Sequence, residues 1–120
     1  MAKGKIRTTG VLYREVGTVE GHTEILNRGE EECTIKATAF DWEDENEPML
    51  IKEEIIVIDP NTRAAFDFEM SRHAELVIET ENKCKCMGVF ANLYFRDQDN
   101  CTVGTPVYNN DFIDVPYDCY

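Results

Sequence analysis

The chain has 120 residues, of which 42% are hydrophobic and 10% aromatic, so it is long enough for one domain with one core. It carries 24 acidic against 12 basic residues, which gives a net charge of -12. This excess argues against nucleic acids and anionic membranes as partners, because phosphate binding requires clustered cations. It also keeps separate subunits apart until salt or cations screen their repulsion.

No segment has the features of a secretion signal or of a membrane span. Residues 1–10 include three basic side chains, but no apolar h-region follows them. No window approaches the roughly 18 apolar residues of a membrane-spanning helix. We therefore expect synthesis in the cytoplasm without a signal peptide, and no insertion into a membrane. Residues 1–10, rich in Lys, Gly and Thr, predict an extended N-terminal arm ahead of one domain at residues 11–120.

Within that domain, apolar residues recur with a period of two, which is typical of β-strands rather than helices. The segments VLYREV and TVEGHTEILN predict the first two strands. In CTIKATAFDW the alternation places one apolar face inward, and in MLIKEEIIVID a β-branched run predicts a strand with both faces partly covered. The inward face of CTIKATAFDW comprises Cys33, Ile35, Ala37 and Ala39.

The second half of the domain continues the pattern. The segment DPNT predicts a tight turn before RAAFDFEM, and CTVGTPVY and FIDV predict the last strands. Together the segments predict an all-β fold, a single Ig-like or jelly-roll-type antiparallel sandwich of about eight strands. The residues of RAAFDFEM expected to face the core are Ala64, Phe66, Phe68 and Met70.

AELVIETE and CMGVFANLYF are predicted to form a hairpin around a two-residue turn at residues 82–83. This register places Leu76 opposite Val89 and Ile78 opposite Met87, so one face is apolar. The same register turns the paired thiols of NKCKCMGVF outward, beside glutamates. The thiols are Cys84 and Cys86.

The five cysteines, an odd number, cannot all pair within one chain. Strand geometry separates Cys84 and Cys86 by about 7 Å, too far for an easy mutual disulfide. A zinc site would need two further ligands that no second motif supplies. The remaining interpretations are outward thiols without chemistry and disulfides between subunits, with Cys101 and Cys119 as further candidates. Cys33, on an alternating strand, is predicted to be a buried small residue.

Two acidic turns, DWEDENEP and RDQDN, are candidates for calcium, because hard cations prefer carboxylate oxygens. Neither has the spacing of an EF-hand loop, so a solvated loop is the alternative interpretation. No other cofactor is expected. The candidate ligands are Asp41, Glu43, Asp44, Glu45, Asp97 and Asp99.

Catalytic motifs are not evident. The histidines are His22 and His73, and the single serine is Ser71, close to His73 along the chain. No acid–base–nucleophile spacing accompanies them, and no glycine loop resembles a phosphate cradle. We therefore do not expect an enzyme.

The segments ILNRGEEECTIKATAFDW, VIDPNTRAAFDFEM, AELVIETENK and TPVYNNDFIDV resemble small sandwich proteins of spore-forming Gram-positive bacteria, among them endospore appendage subunits. The resemblance covers approximately residues 21–115. It implies single sandwiches whose N-terminal extensions dock into neighbouring subunits, whose sheets augment one another and whose fibres are cross-linked by disulfides. It also implies release by lysis of the mother cell, and hence a spore or cell surface location.

One departure from this family concerns the cysteines. The family's N-terminal connector carries cysteines, whereas residues 1–10 carry none. A covalent lock would then use Cys119 as the mobile partner and Cys84, Cys86 or Cys101 as acceptor, or it would be absent.

The expected function is that of a non-enzymatic structural subunit that polymerises with copies of itself into a filament or surface layer. Strand addition and docking of the terminal arms would join the subunits. The alternatives are a sandwich that binds calcium or a protein partner through its acidic loops, association with other surface proteins, and a cytoplasmic location. The candidate arm residues are Lys3, Lys5, Ile6, Arg7, Tyr117 and Tyr120.

Overall fold

A computed structural model describes residues 3–81 and 88–115, and within them ten strands form two packed antiparallel sheets. The predicted all-β sandwich is confirmed. These described residues include a short 3₁₀ helix at Asn109–Asp111 and no helix long and apolar enough to cross a membrane. The strands are β1 (Lys3–Thr8), β2 (Leu12–Tyr13), β3 (Glu20–Asn27), β4 (Cys33–Asp41), β5 (Met49–Ile58), β6 (Thr62–Glu69), β7 (His73–Glu81), β8 (Val89–Arg96), β9 (Thr102–Val107) and β10 (Ile113–Val115).

The first sheet, sheet A, has the strand order β10-β1-β7-β4-β5, and the two-residue β2 also pairs with β7. The second, sheet B, has the order β6-β3-β8-β9. Within the described residues, every pairing is antiparallel. The edges are therefore β10 and β5 in sheet A, and β6 and β9 in sheet B.

The core lies between the sheets and follows the predicted alternation. The apolar face of β4 is fully buried, as expected from its period of two. On β6 and beyond it, Phe66, Phe68 and Met70 are buried, and Ala64 packs against the same cluster. These inward faces confirm the predictions for both segments.

The turn between β5 and β6 also forms where DPNT predicts it. Asn61 adopts a positive φ of 58°, and the Thr62 N–H donates to the Asp59 carbonyl at 3.2 Å. Asn tolerates this left-handed conformation better than most residues. The chain passes here from sheet A to sheet B, so β5 and β6 are neighbours along the chain but do not share a ladder.

The predicted hairpin between β7 and β8 is wrong. β7 pairs with β4 and β1 in sheet A, whereas β8 pairs with β3 and β9 in sheet B. Leu76 and Val89 do bury their side chains in one core, but they do so from opposite sheets. An alternating pattern indicates which face is buried and does not distinguish a paired strand from a facing one. The expected turn, with Cys84, Cys86 and Met87, lies outside the described residues.

The predicted free arm is also wrong for the residues that form β1. Lys3–Thr8 lies inside sheet A, between β10 and β7. Ile6 is buried, and a Cβ added at Gly4 would lie 2.6 Å from the Glu81 carbonyl oxygen. The physical reason is that β7 would otherwise present an unpaired backbone edge, which β1 satisfies. By contrast, the strand predicted in VLYREV is reduced to the two residues of β2.

Candidate functional site

The free edge of β5 is the most distinctive surface of the sandwich. β5 has ten residues and pairs with β4 along one side. In the part of the chain that the structure describes, no strand pairs with its other side. A long edge of this kind presents a row of N–H and C=O groups that a further strand is able to complete.

Apolar side chains accompany this edge on the outer face of sheet A. Leu50, Ile55 and Val57 are 60%, 63% and 57% exposed. The prediction that both faces of the strand are partly covered is therefore wrong for the outer face. The inner face agrees with it, because Ile58 is buried and Ile56 packs against the core. The β-branched run reflects an exposed apolar edge rather than a central strand.

Three charged residues interrupt the apolar edge at its centre. The Lys52 ammonium lies 3.9 Å from a Glu54 carboxylate oxygen, on the inner side of the strand. It also donates to the Asp67 carbonyl at 2.7 Å and lies 5.0 Å from the centre of the Phe66 ring. Glu53 is opposite Thr38 and belongs to the outer face. The edge thus has an ordered pattern of charge between two apolar segments.

A β-bulge separates these charges from the start of the strand. Ala39 is opposite Lys52 and the next residue, Phe40, is opposite Leu50, so Ile51 is the additional residue. Ile51 packs against the core. The bulge thereby keeps Leu50 on the outer face, with the exposed residues of the second half of β5.

The candidate arm residues that the structure describes are bound within their own chain. Lys5 lies 3.3 Å from the Asp114 carboxylate, and Arg7 donates to the Asn109 side-chain oxygen at 2.8 Å. Arg7 also lies over the Phe112 ring at 5.4 Å. They therefore do not form a free arm, and their expected contact with a neighbouring subunit stays a prediction. Lys3 begins β1, and Tyr117 and Tyr120 lie outside the described residues.

The first acidic turn uses its carboxylates to hold the loop together. Asp41 accepts from the Glu43 N–H at 2.8 Å, and Asp44 accepts from the Asn46 N–H at 2.9 Å. Glu43 instead contacts His73, at 3.1 Å, while Glu45 is exposed.

The second acidic turn has the same internal organisation. One Asp97 oxygen accepts from the N–H groups of Asp99 and Cys101, at 2.9 and 3.0 Å. Across the described ranges, no three acidic, His or Cys side chains converge as metal ligands. The structure does not bring the candidate calcium ligands together.

The described cysteines occupy contrasting positions. Cys33 is buried at the start of β4, as predicted, and its sulfur is not a free thiol. Cys101 has an exposed, free thiol in the turn between β8 and β9. The candidates Cys84, Cys86 and Cys119 lie outside the described residues.

Substitution of Cys101 tests its accessibility directly. We expect Cys101→Ser to lose one rapidly reacting thiol in a titration of native protein, because an exposed thiol reacts without unfolding. Its thermal unfolding is expected to match that of the unaltered protein. Equal numbers of rapidly reacting thiols in the two proteins would contradict the exposed placement.

The histidines contact carboxylates rather than a nucleophile. The His22 Nδ1 atom contacts Asp67, and its Nε2 atom lies 3.8 Å from Glu24. The Ser71 hydroxyl donates to the backbone carbonyl of His73 and not to its ring. A depression of about 190 Å³ above sheet B is lined by His22, Glu24, Tyr94, Arg96 and Thr102.

A small cavity lies at the end of the sandwich beneath β2. Its volume is about 130 Å³, and it is lined by apolar side chains from both sheets together with polar residues of the following loop. The nearest charged groups, Arg14 and Glu15, are exposed. The lining residues are Leu12, Tyr13, Arg14, Glu15, Thr18, Met70, Phe95, Val103, Thr105 and Val107.

Comparisons with known proteins add information on the fold. No protein-family model matches the chain, and no curated protein matches it. A crystal structure described as Thermotoga maritima 1070 is similar, with a TM-score of 0.52 and 14% sequence identity over 96% of this chain and 93% of that chain. At this identity the likeness shows a common fold alone. The resemblance to endospore appendage subunits stays a prediction.

Proposed function

We propose that this protein is a non-enzymatic structural subunit that self-assembles by adding strands of neighbouring copies to its sheets. The observation that supports the proposal is the β5 edge, which combines ten residues of strand with four exposed, large apolar side chains, Met49, Leu50, Ile55 and Val57. Natural proteins usually shorten, twist or cover such an edge, because it attracts further strands. Here the edge is long, and apolar side chains lie on both sides of its central charges, although the bulge and Lys52 are features that protect edges in other proteins.

Strand addition at β5 would satisfy two physical requirements at once. The unpaired backbone groups would complete their hydrogen bonds, and side chains of the added strand would cover part of the exposed Leu50, Ile55 and Val57. Burial of apolar surface contributes roughly 25 cal/mol per Å². A filament or layer forms only when the contacts of a subunit do not all close on themselves, so growth beyond a pair would require a second contact besides the one at β5.

The net charge of -12 acts against any such assembly. Copies of an acidic protein repel one another at long range, and the repulsion decreases within about 10 Å at 0.1 M salt. Specific contacts must therefore outweigh a general repulsion, which is a reasonable property for a subunit that has to stay dispersed until it is concentrated. Docking through a free arm at residues 3–8 is not part of the proposal, because β1 belongs to its own sheet.

Ile55→Lys tests the proposal. We expect the substitution to reduce assembly strongly and to leave the fold intact, since it places a charge on an exposed apolar edge. The measurements are light scattering after size-exclusion chromatography, electron microscopy of concentrated protein and thermal unfolding. Val16→Lys is the matched control, because Val16 is fully exposed in the loop between β2 and β3.

Two results would contradict the proposal. One is a monodisperse monomer for the unaltered protein at every concentration tested. The other is unchanged assembly of Ile55→Lys. A monomer whose thermal unfolding temperature rises with calcium would favour the alternative of a binding module that uses the acidic loops.

A further inference from the structure

We infer that the strand added at β5 is the β5 strand of a second copy, paired antiparallel about a two-fold axis at Glu53, with each Lys52 opposite Glu54 of the other copy. The inference rests on the proposed function and specifies its partner and register. It follows from the sequence of charges along the edge, from the bulge and from the geometry of antiparallel pairing.

Symmetry restricts the registers that are available. A two-fold axis perpendicular to a continuous sheet leaves the outer face of one copy beside the outer face of the other. Residues that pair across the axis must therefore belong to the same face, because opposed side chains of a ladder point to the same side. Within the unbulged segment from Lys52 onward, only registers centred on a residue satisfy this condition.

A register centred on Glu53 matches the charges. Lys52 and Glu54 both belong to the inner face, and each would lie opposite the other residue of the second copy. The pair occurs twice, once on either side of the axis. Opposite charges directly across an antiparallel pair stabilise it, by roughly 0.2–1 kcal/mol per pair.

The bulge extends the match to the apolar residues. If Ile51 is omitted from the new ladder, as it is from the ladder with β4, the residue after the Lys52 pair is Leu50. Leu50 then lies opposite Ile55 of the second copy on the outer face, and Met49 lies opposite Ile56 on the inner face. Without the bulge these faces would not correspond. All four positions are apolar, so each side of the axis gains two apolar pairs.

A register centred on Ile55 is less favourable. It would place Lys52 opposite Ile58 and Glu54 opposite Ile56, so charged groups would be desolvated against apolar ones. It would also place Glu53 opposite Val57. The charges thus select one register among those that symmetry allows.

The other edges of a second copy fit β5 less well. β10 has three residues, and β9 contains Pro106 together with Gly104 at a φ of 69°. Proline cannot donate to a ladder, and glycine weakens a strand interior. β6 exposes no large apolar side chain among the described residues, so it would leave the apolar positions of β5 unmatched.

Glu53 is the unfavourable position of this contact, because it lies opposite Glu53 of the other copy. Like charges directly across a pair of strands are destabilising. The repulsion between the two Glu53 carboxylates would therefore weaken the contact at its centre. Glu53→Gln removes the repulsion, and we expect it to bind its own copy more tightly than the unaltered protein does.

Charge reversal tests both the partner and the register. Lys52→Glu alone sets Glu against Glu, and Glu54→Lys alone sets Lys against Lys, so we expect each variant to dissociate more readily, by about tenfold or more. An equimolar mixture restores both oppositely charged pairs. We therefore expect a mixed dimer in the mixture, measured by native mass spectrometry with one variant isotopically labelled. The double variant, which carries both reversals, should bind its own copy again.

The outcomes separate this inference from the proposed function. Assembly of the unaltered protein but not of Ile55→Lys would support a contact at β5. If the mixture of charge variants then forms no mixed dimer, β5 pairs with a different strand or in a different register, and the inference is wrong. If the unaltered protein stays monomeric at every concentration, the proposed function fails with it. A variant that has lost folding stability is recognised by thermal unfolding, and the double variant then decides the result.

Discussion

Asn27→Ala is expected to lower the free energy of unfolding by about 3 kcal/mol, because it removes a buried group that makes three hydrogen bonds. The Asn27 amide nitrogen donates to the carbonyls of Ile58 and Glu31, both at 2.9 Å. Its side-chain oxygen accepts from the Gly29 N–H at 2.9 Å. The residue is 1% exposed, so water cannot replace these partners. Denaturant unfolding measures the loss.

Two further substitutions sharpen this result. Asn27→Asp keeps the shape and the acceptor but loses the donors, so it should be destabilised most at neutral pH and recover stability as acidification restores one donor. Asn46→Ala is the matched control, because Asn46 is exposed in a loop and the change should cost less than about 0.5 kcal/mol. A loss for Asn27→Ala no larger than the loss for this control would show that the three bonds contribute little.

Phe66→Ala is expected to lower the free energy of unfolding by about 3–5 kcal/mol. Phe66 is fully buried between the sheets, and its ring centre lies 5.9 Å from that of Phe68. Removal of the ring leaves a cavity that two rigid sheets cannot fully close. It also removes the surface over which the Lys52 ammonium lies. Thermal and denaturant unfolding give the magnitude.

A smaller change at Phe66 and the same change at a half-exposed phenylalanine provide the comparison. Phe66→Leu retains most of the apolar volume and should cost less than about 1.5 kcal/mol. Phe90→Ala removes the same side chain from a position on β8 that is 44% exposed, and its cost should be clearly smaller. Equal losses at Phe66 and Phe90 would mean that the core does not depend on close packing around β6.

The faces of the strands were predictable from sequence because their period is local. Cys33, Ile35 and Ala37 alternate with polar residues, and that alternation alone requires a strand with one buried face. The turn at Asn61 was predictable for a similar reason, since Pro followed by Asn favours its backbone conformation. Such signals need no knowledge of the remainder of the chain.

The partners of the strands were not predictable from the same signals. β1 carries one apolar residue, Ile6, in a basic segment, so no alternation marks it as a strand. β7 and β8 have complementary apolar faces whether they are paired in one sheet or face each other across the core. Strand order depends on contacts between distant segments, and short-range patterns do not contain that information.

The candidate site was partly predictable. The composition of β5 indicated a strand, but its β-branched run is equally typical of a covered strand and of an edge. Only the strand order shows that β5 is an edge, and only the register of the bulge shows on which face Leu50 lies. For the acidic turns, the sequence suggested a binding site that the structure does not form. Their density suggested a cation, whereas Asp41, Asp44 and Asp97 bind backbone N–H groups of their own loops.

The position of β1 in sheet A has a practical consequence for distance measurements. In the order β10-β1-β7-β4-β5, β1 is separated from β5 by three strand spacings, or about 14 Å. A probe attached to β1 therefore lies away from the edge at which a second copy would bind. In a pair joined through β5, two such probes would be separated by seven spacings, about 34 Å, a distance suited to resonance energy transfer. The strand order thus predicts a distance that can be measured in the assembled state.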